Sequence, residues 1–279
     1  MGADKGRVAK RLDSALVERG LAGSREIAAE LIHEGKVLVN RSVASKAARH
    51  VKAADRIEVI SLPKYVSRGG LKLEGALRRF DIAVGGLRAL DVGSSTGGFT
   101  DCLLQHHARS VYALDVGTNQ LHEKMRQDAR VVSFERTNVR DFRDPEGLGF
   151  DIVVADVSFT SVRLLAGALV ALTRENGQLV ILVKPQFEVG HREASKGRGV
   201  IRDPALWKES LKMVAEEFLR QGVAVIALAA SEIRGTQGNV EFFYHLSKDP
   251  SCESRDFERL IDSEVDRISG QIEGNPFDR

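Results

Sequence analysis

Cysteine is scarce in this chain: Cys102 and Cys252 are the only two in 279 residues, with no Cys-x-x-Cys and no His/Cys cluster. That argues against a disulfide framework and against a zinc centre, and for a reducing compartment. Long apolar runs are missing as well. The longest, Val223 to Ala230, falls far short of the about 20 residues that cross a bilayer. The opening residues lack the apolar centre and small-residue cleavage site of a secretory signal, so a cytoplasmic protein is expected. There is no internal repeat and no low-complexity tract. What remains is an ordinary globular composition, 43% hydrophobic and 29% charged, with length for one large domain and a small one.

The net charge of +2 hides an asymmetry. Residues 1–80 hold 17 Lys and Arg against 9 Asp and Glu, whereas the remainder holds 24 against 30. A basic excess confined to the first quarter of a chain points to a polyanionic partner.

That first quarter reads as a helix–helix–strand module. Leu12, Ala15 and Leu16 have helical spacing between Arg11 and Gly20. Ser24 caps a second helix through Glu34, with Ile27, Ala28, Leu31 and Ile32 on its buried face and Gly35 as its stop. Strands follow at Val37–Asn40 and Asp55–Ile60. The strings Arg11-Leu12-Asp13, Ser24-Arg25 and Leu31-Ile32-x-x-Gly35-Lys36-Val37-x-Val39-Asn40 resemble the S-four RNA-binding domain. With the basic excess, Arg11 and Arg25 at the starts of the two helices and Lys36 and Lys46 flanking the strand after Gly35 are the expected RNA-phosphate contacts, although each is also acceptable as a plain surface cation.

Pro63 breaks the pattern, so a linker at 63–68 is expected to separate a small domain over 1–62 from a large domain over 69–250, with a charged helical tail over 251–279. A helix pattern starts at Ser67. Apolar runs then recur at Leu87–Val92, Val111–Asp115, Val131–Glu135, Asp151–Asp156, Leu179–Lys184 and Val223–Ala230, with helical segments expected between them. This is the signature of a doubly wound, mostly parallel sheet. The run Val240–Leu246 follows its predecessor after only a short loop, Arg234 to Asn239, which predicts an antiparallel last strand.

The first of these strands ends in Asp91-Val92-Gly93-Ser94-Ser95-Thr96-Gly97-Gly98. Gly93 permits a tight turn, and Gly97 and Gly98 remove side chains where a ligand would approach. The spacing is not the G-x-G-x-x-G of dinucleotide enzymes. Asp115, one strand later, is placed to take both ribose hydroxyls of an adenosine. Together these favour S-adenosylmethionine over NAD. Gly93, Ser95, Gly97 and Gly98 are expected around its methionine part, Asp115 on the ribose and Asn138 and Val139 beside the adenine. Asp91 and Asp156 are further candidate contacts.

Ligands of open α/β sheets collect at the carboxyl ends of the strands. Asp156 and Lys184 end two strands there, Glu241 begins the reversed one, and Lys72 lies on the helix leading into the sheet. Each has a plain alternative: a helix cap for Asp156, a solvated edge charge for Lys184, a surface ion pair for Glu241, an exposed helix face for Lys72. Their coincidence at one edge is what suggests chemistry. The glycine-interleaved segment Gly190–Arg202, with Arg192, Lys196, Arg198 and Arg202, reads either as a basic loop over the site or as an ordinary solvated loop.

Four strings, joined to an S-four domain, carry a whole-chain resemblance. They are Val66-Ser67-Arg68-Gly69-Gly70-Leu71-Lys72, the Asp91–Thr100 turn, Val183-Lys184-Pro185-Gln186-Phe187-Glu188 and Gly238-Asn239-Val240-Glu241. With them the sequence resembles the haemolysin-A (TlyA) family. The resemblance implies a class I, Rossmann-like methyltransferase fold of FtsJ type. It also implies ribosomal RNA 2′-O-methylation on cytidines within ribosomal subunits and a Lys-Asp-Lys-Glu tetrad at Lys72, Asp156, Lys184 and Glu241; with no His/Cys cluster in the sequence, no metal is expected. A monomer is expected.

In such a reaction Lys184 serves as a base only if it is held neutral. Burial and a second ammonium on Lys72 favour that, while Asp156 and Glu241 oppose it. Charged lysines would instead orient the hydroxyl and stabilise the developing alkoxide. Rival readings are a non-catalytic RNA-binding assembly factor, a membrane-acting haemolysin and an NAD-dependent oxidoreductase.

Overall fold

The computed structural model describes residues 9–33, 35–60, 63–190, 199–235 and 238–273. The chain divides into two compact units, residues 1–67 and 68–279.

In the first unit, β1 (Lys10–Arg11) leads into α1 (Leu12–Glu18), and α2 (Arg25–His33) packs against α1. Strands β2 (Val37–Val39), β3 (Ser42–Val43), β4 (His50–Val51) and β5 (Ile57–Val59) complete it. The three-stranded sheet has the order β3-β2-β5, and β1 pairs with β4. Leu12, Leu16, Leu31, Ile32, Val37 and Val39 form its core. The Ile27 N–H donates to Ser24 Oγ at 3.3 Å, the expected helix cap. The first helix starts one residue later than its pattern suggests. Arg11 is extended (φ −60°, ψ 141°) and pairs with His50, which removes it from the helix.

The second unit opens with α3 (Arg68–Phe80), whose Leu73, Ala76 and Leu77 face inward. Strand β6 (Arg88–Val92), α4 (Gly98–Gln105), β7 (Ser110–Leu114), α5 (Glu123–Gln127), β8 (Val131–Phe134) and β9 (Phe150–Ala155) follow. A 3-10 turn (Val162–Leu165), α6 (Ala166–Leu172), β10 (Thr173–Val183) and α7 (Pro185–Glu188) come next. The chain continues through α8 (Pro204–Arg220), β11 (Ala224–Ala230), β12 (Phe242–Ser247) and α9 (Phe257–Glu273).

The seven strands lie in the order β11-β12-β10-β9-β6-β7-β8. Only β12 is reversed, antiparallel to both β10 and β11. This is the doubly wound α/β sheet with an antiparallel last strand. The central strands β9 and β10 carry unbroken apolar stretches, Ile152–Ala155 and Leu179–Val183, because helices cover both faces. Helix α8 shows why one side closes: Trp207, Leu211, Val214, Ala215 and Phe218 recur at helical spacing and are all buried, behind an Asp203 cap and Pro204 at the first turn.

Two expectations about this unit change. No helix joins β8 to β9. Residues 135–149 are instead a run of turns in which Asp144 accepts the N–H groups of Glu146, Leu148 and Gly149, and Gly147 and Gly149 take left-handed φ. The charged segment after Pro250 is integral to the unit. Ile261 and Val265 are buried, the Ala230 N–H donates to Glu264 Oε1 at 2.6 Å, and α9 thereby covers the edge strand β11.

Candidate active site

Register explains how distant residues meet. Val183 pairs with Phe242, so Lys184 and Glu241 occupy the next position along the β10–β12 ladder. Ala155 pairs with Val92 on one side and Ile181 on the other, which puts Asp156 on the same sheet edge.

Two ion pairs result. Lys72 Nζ lies 2.6 Å from Glu241 Oε2, and Lys184 Nζ lies 2.6 Å from Asp156 Oδ1. Lys184 also donates to Ser158 Oγ at 2.7 Å. Both lysines and Glu241 are almost fully buried, and Asp156 is the most accessible of the four. All four residues singled out in the sequence are therefore at one edge, sorted into two lysine–carboxylate couples.

Beside them opens a cavity of about 610 Å³. Of the expected cofactor contacts, Gly93, Ser95, Asp115, Asn138, Val139 and Asp156 line it. The Ser95 and Gly117 N–H groups each donate to the Asp115 carboxylate at 2.7 Å, fixing it at the cavity wall. Gly93 has φ +80°, and a Cβ there would overlap the Asp156 carbonyl oxygen, so the turn needs glycine on both counts.

Three expected contacts do not line the cavity. Asp91 is fully buried and points to the other side of the sheet, because alternation along β6 aims Val92 into the cavity and Asp91 at α4. There its Oδ2 accepts from Thr100 Oγ1 at 2.6 Å. Burial pushes the Asp91 carboxyl up to about 7. The Thr100 hydrogen bond works against that, and the charges of Asp156 and Asp115 add to it. Gly97 (φ +92°) faces away as well: a Cβ would crowd Leu121 at 2.8 Å and Met125 at 2.9 Å, so its smallness serves packing. Gly98 is buried as the first residue of α4.

Several residues escaped the sequence reading. Val116, Gly117, Gln120, Thr137, Phe159 and Thr160 complete much of the cavity wall. Phe159 is 93% exposed, with its ring 5.5 Å from that of Phe187, whose centroid is 5.9 Å from Lys184 Nζ. Ser158 and Phe159 lie just beyond Asp156 in the loop after β9, and that proximity is the signal the sequence offers. Of the candidate loop cations, Arg192, Lys196 and Arg198 lie outside the described residues, and Arg202 is exposed.

In the first unit, Arg11 and Arg25 converge on Asp13. Their guanidinium nitrogens lie 2.7 Å and 3.1 Å from Asp13 Oδ2. The Arg11 hydrogen bond holds the Asp13 carboxyl well below the usual carboxylate range, against the opposing effect of burial. One buried carboxylate thus fixes two half-exposed arginines. Lys46 is exposed between β3 and β4, and Lys36 is half-buried at the start of β2.

Residues 65–248 match the FtsJ-like methyltransferase family model, and residues 10–57 match the S4 domain. The chain is 46% identical over 240 residues to the 16S/23S rRNA (cytidine-2′-O)-methyltransferase TlyA of Mycobacterium tuberculosis, covering 85% of this chain and 89% of that one. It is 42% identical over 238 residues to Hemolysin A of Brachyspira hyodysenteriae, covering 84% and 98%. A solved structure assigned as a hemolysin, from Streptococcus thermophilus, aligns with a TM-score of 0.73 at 36% identity over 95% of this chain and 98% of that one. With these matches spanning both units, the chain belongs to the haemolysin A (TlyA) family of FtsJ-like methyltransferases.

Proposed function

We propose that this chain transfers a methyl group from S-adenosylmethionine to ribose 2′-hydroxyls of cytidines in ribosomal RNA, acting on ribosomal subunits in the cytoplasm. The observation that carries the reading is the pair of lysine–carboxylate couples at the edge of a cavity that Asp156 itself lines.

The cavity suits an adenosine-bearing sulfonium compound. Its volume falls in the range of small-molecule sites. Asp115 is held by two backbone N–H groups and keeps lone pairs for two ribose hydroxyls. S-Adenosylmethionine, when bound, supplies a methyl group on a sulfonium that leaves as a neutral thioether, so no acid is needed for departure.

The chain's own task is to ready the ribose oxygen. When that oxygen takes up the methyl group, its hydroxyl proton would pass to the Asp156 carboxylate, the one proton acceptor of the Lys184–Asp156 couple. With a carboxylate against each lysine, both lysines act as ammonium groups that orient the hydroxyl and stabilise charge developing on its oxygen. Holding the reactants in line contributes further, up to about 7–11 kcal/mol in favourable systems. The exposed Phe159 ring, against Phe187 and next in sequence to Ser158, offers a face on which a nucleobase can stack. In the amino-terminal unit, Arg11 and Arg25 present paired guanidinium groups to RNA phosphates.

The test is methyl transfer from labelled S-adenosylmethionine to ribosomal subunits, with nucleoside mass spectrometry of the product. Parent protein should yield 2′-O-methylcytidine, and Lys184→Ala should lose the activity while still binding RNA. Turnover by Lys184→Ala within about tenfold of the parent, a loss of only about 1.4 kcal/mol, removes Lys184 from the chemistry. Vesicle leakage without methyl transfer would favour the haemolysin reading.

A further inference from the structure

We propose that Glu188 is a positioning residue that holds Ser158, and through it Lys184, in the reactive arrangement. The inference rests on the assignment of Lys184 to the reacting hydroxyl.

Glu188 is carried by the turn of helix that follows Lys184, and its side chain is almost fully buried. Every side-chain partner it has among the described residues belongs to the other active-site segment. Ser161 Oγ donates to Oε2 at 2.5 Å, the Val162 N–H donates to Oε1 at 2.8 Å, and Arg163 Nε donates to Oε2 at 3.1 Å. Arg163 also reaches the Glu188 carbonyl at 3.2 Å. A buried carboxylate is costly unless it is satisfied in this way, and an apolar residue would fill the same space without that demand.

The segment it holds needs holding. Between Asp156 and Ser161 the chain carries Ser158, the second partner of Lys184, and Phe159, whose φ of +62° is left-handed. For a bulky aromatic residue that conformation is strained and persists only when the surroundings enforce it. The two segments are tied at both ends, by Lys184 with Asp156 and Ser158 at one and by Glu188 with Ser161, Val162 and Arg163 at the other. Release of the Glu188 end lets Phe159 relax toward ordinary φ and takes Ser158 away from the ammonium.

The experiment measures single-turnover methyl transfer to ribosomal subunits at saturating S-adenosylmethionine. The proteins are the parent, Glu188→Ala, Glu188→Gln, Ser158→Ala, the double variant Ser158→Ala/Glu188→Ala, and Lys184→Ala. Glu188→Ala should slow the step by about tenfold or more, with the half-saturating subunit concentration little changed. Glu188→Gln keeps an acceptor for Val162 or Ser161 and should recover most of the rate. If Glu188 acts through Ser158, the double variant is no slower than the slower single one. Losses that multiply, or a folded Glu188→Ala within about twofold of the parent, overturn the inference. Should Glu188→Ala not fold, Ser161→Ala removes one tie from the opposite side and is judged by the same criteria. Activity retained by Lys184→Ala would defeat the underlying reading. An inactive Lys184→Ala beside fully active Glu188 variants would defeat this inference alone.

Discussion

Gly235 packs directly against the carboxylate of Glu241. A Cβ on Gly235 would overlap Glu241 Oε1 and fall 2.8 Å from the carboxyl carbon. Glu241 is buried and joined to Lys72 at 2.6 Å, so it has no free space into which to yield. Gly235→Ala should therefore displace Glu241 from Lys72 and lower stability by the about 1–3 kcal/mol typical of overpacking, leaving a folded protein. The expected outcome is a drop in methyl transfer of about tenfold or more with unchanged cofactor affinity, read from single-turnover rates and calorimetry. Full activity would show that the Lys72–Glu241 couple tolerates displacement.

Asp115 should dominate cofactor affinity. Its carboxylate is fixed by Ser95 and Gly117, and hydrogen bonds to a charged group contribute about 1.5–3 kcal/mol each. Asp115→Ala should weaken S-adenosylmethionine binding by at least about tenfold in titration calorimetry. Asp115→Asn retains one acceptor and should fall between. Binding of NAD to the parent with none of S-adenosylmethionine would refute the assignment of the cavity.

Asp91 predicts a pH effect whose sign can be worked out. Its folded value of about 7 lies above that of the unfolded chain. Between about pH 4 and pH 7 the unfolded chain has released this proton and the folded chain keeps it, so stability falls as pH rises and levels off above 7. His245 titrates in the opposite sense: burial and Arg255 lower it to about 4, so its contribution to stability grows as pH rises. The informative quantity is the difference between proteins. Asp91→Asn should gain melting temperature relative to the parent as pH is raised from 5 to 7.5. A constant difference across that range would show that Asp91 is ionised throughout.

The two units should separate by function. Residues 1–80 carry the basic excess, and Asp13 holds Arg11 and Arg25 together. Deletion of residues 1–60 should preserve cofactor binding and abolish methylation of ribosomal subunits. In the full chain, Asp13→Ala frees both arginines and should weaken RNA binding. For every phosphate that an arginine no longer reaches, the salt slope of log K should fall by roughly 0.7–0.9. Methylation at the parent rate by the truncated protein would assign RNA recognition to the catalytic unit.

The sheet and its active edge were legible because their signals are local. Apolar runs of strand length, ended by Asp156 or Lys184, declare both a strand and the edge where it stops. The short loop before Val240 sufficed to predict the reversed strand, and reversal alone brings Glu241 to that edge. The absent helix before β9 had a local signal too, in the turn residues Asp144, Pro145, Gly147 and Gly149, but the expected alternation of strand and helix overrode it.

By itself, then, the sequence determined the class of fold, the order of its elements and the chemistry-bearing residue types, since periodicity and turn chemistry act over a few residues. Only the tertiary structure decided which groups pair and which way they face. Lys72 meets Glu241 across 169 positions, Lys184 meets Ser158 across 26, and Arg25 meets Asp13 across 12. Asp91 turns toward Thr100 and away from the cavity, and Gly97 serves Leu121 and Met125, because strand alternation and helix packing set those directions. Such pairings depend on the meeting of segments far apart in the chain, and no local pattern encodes them.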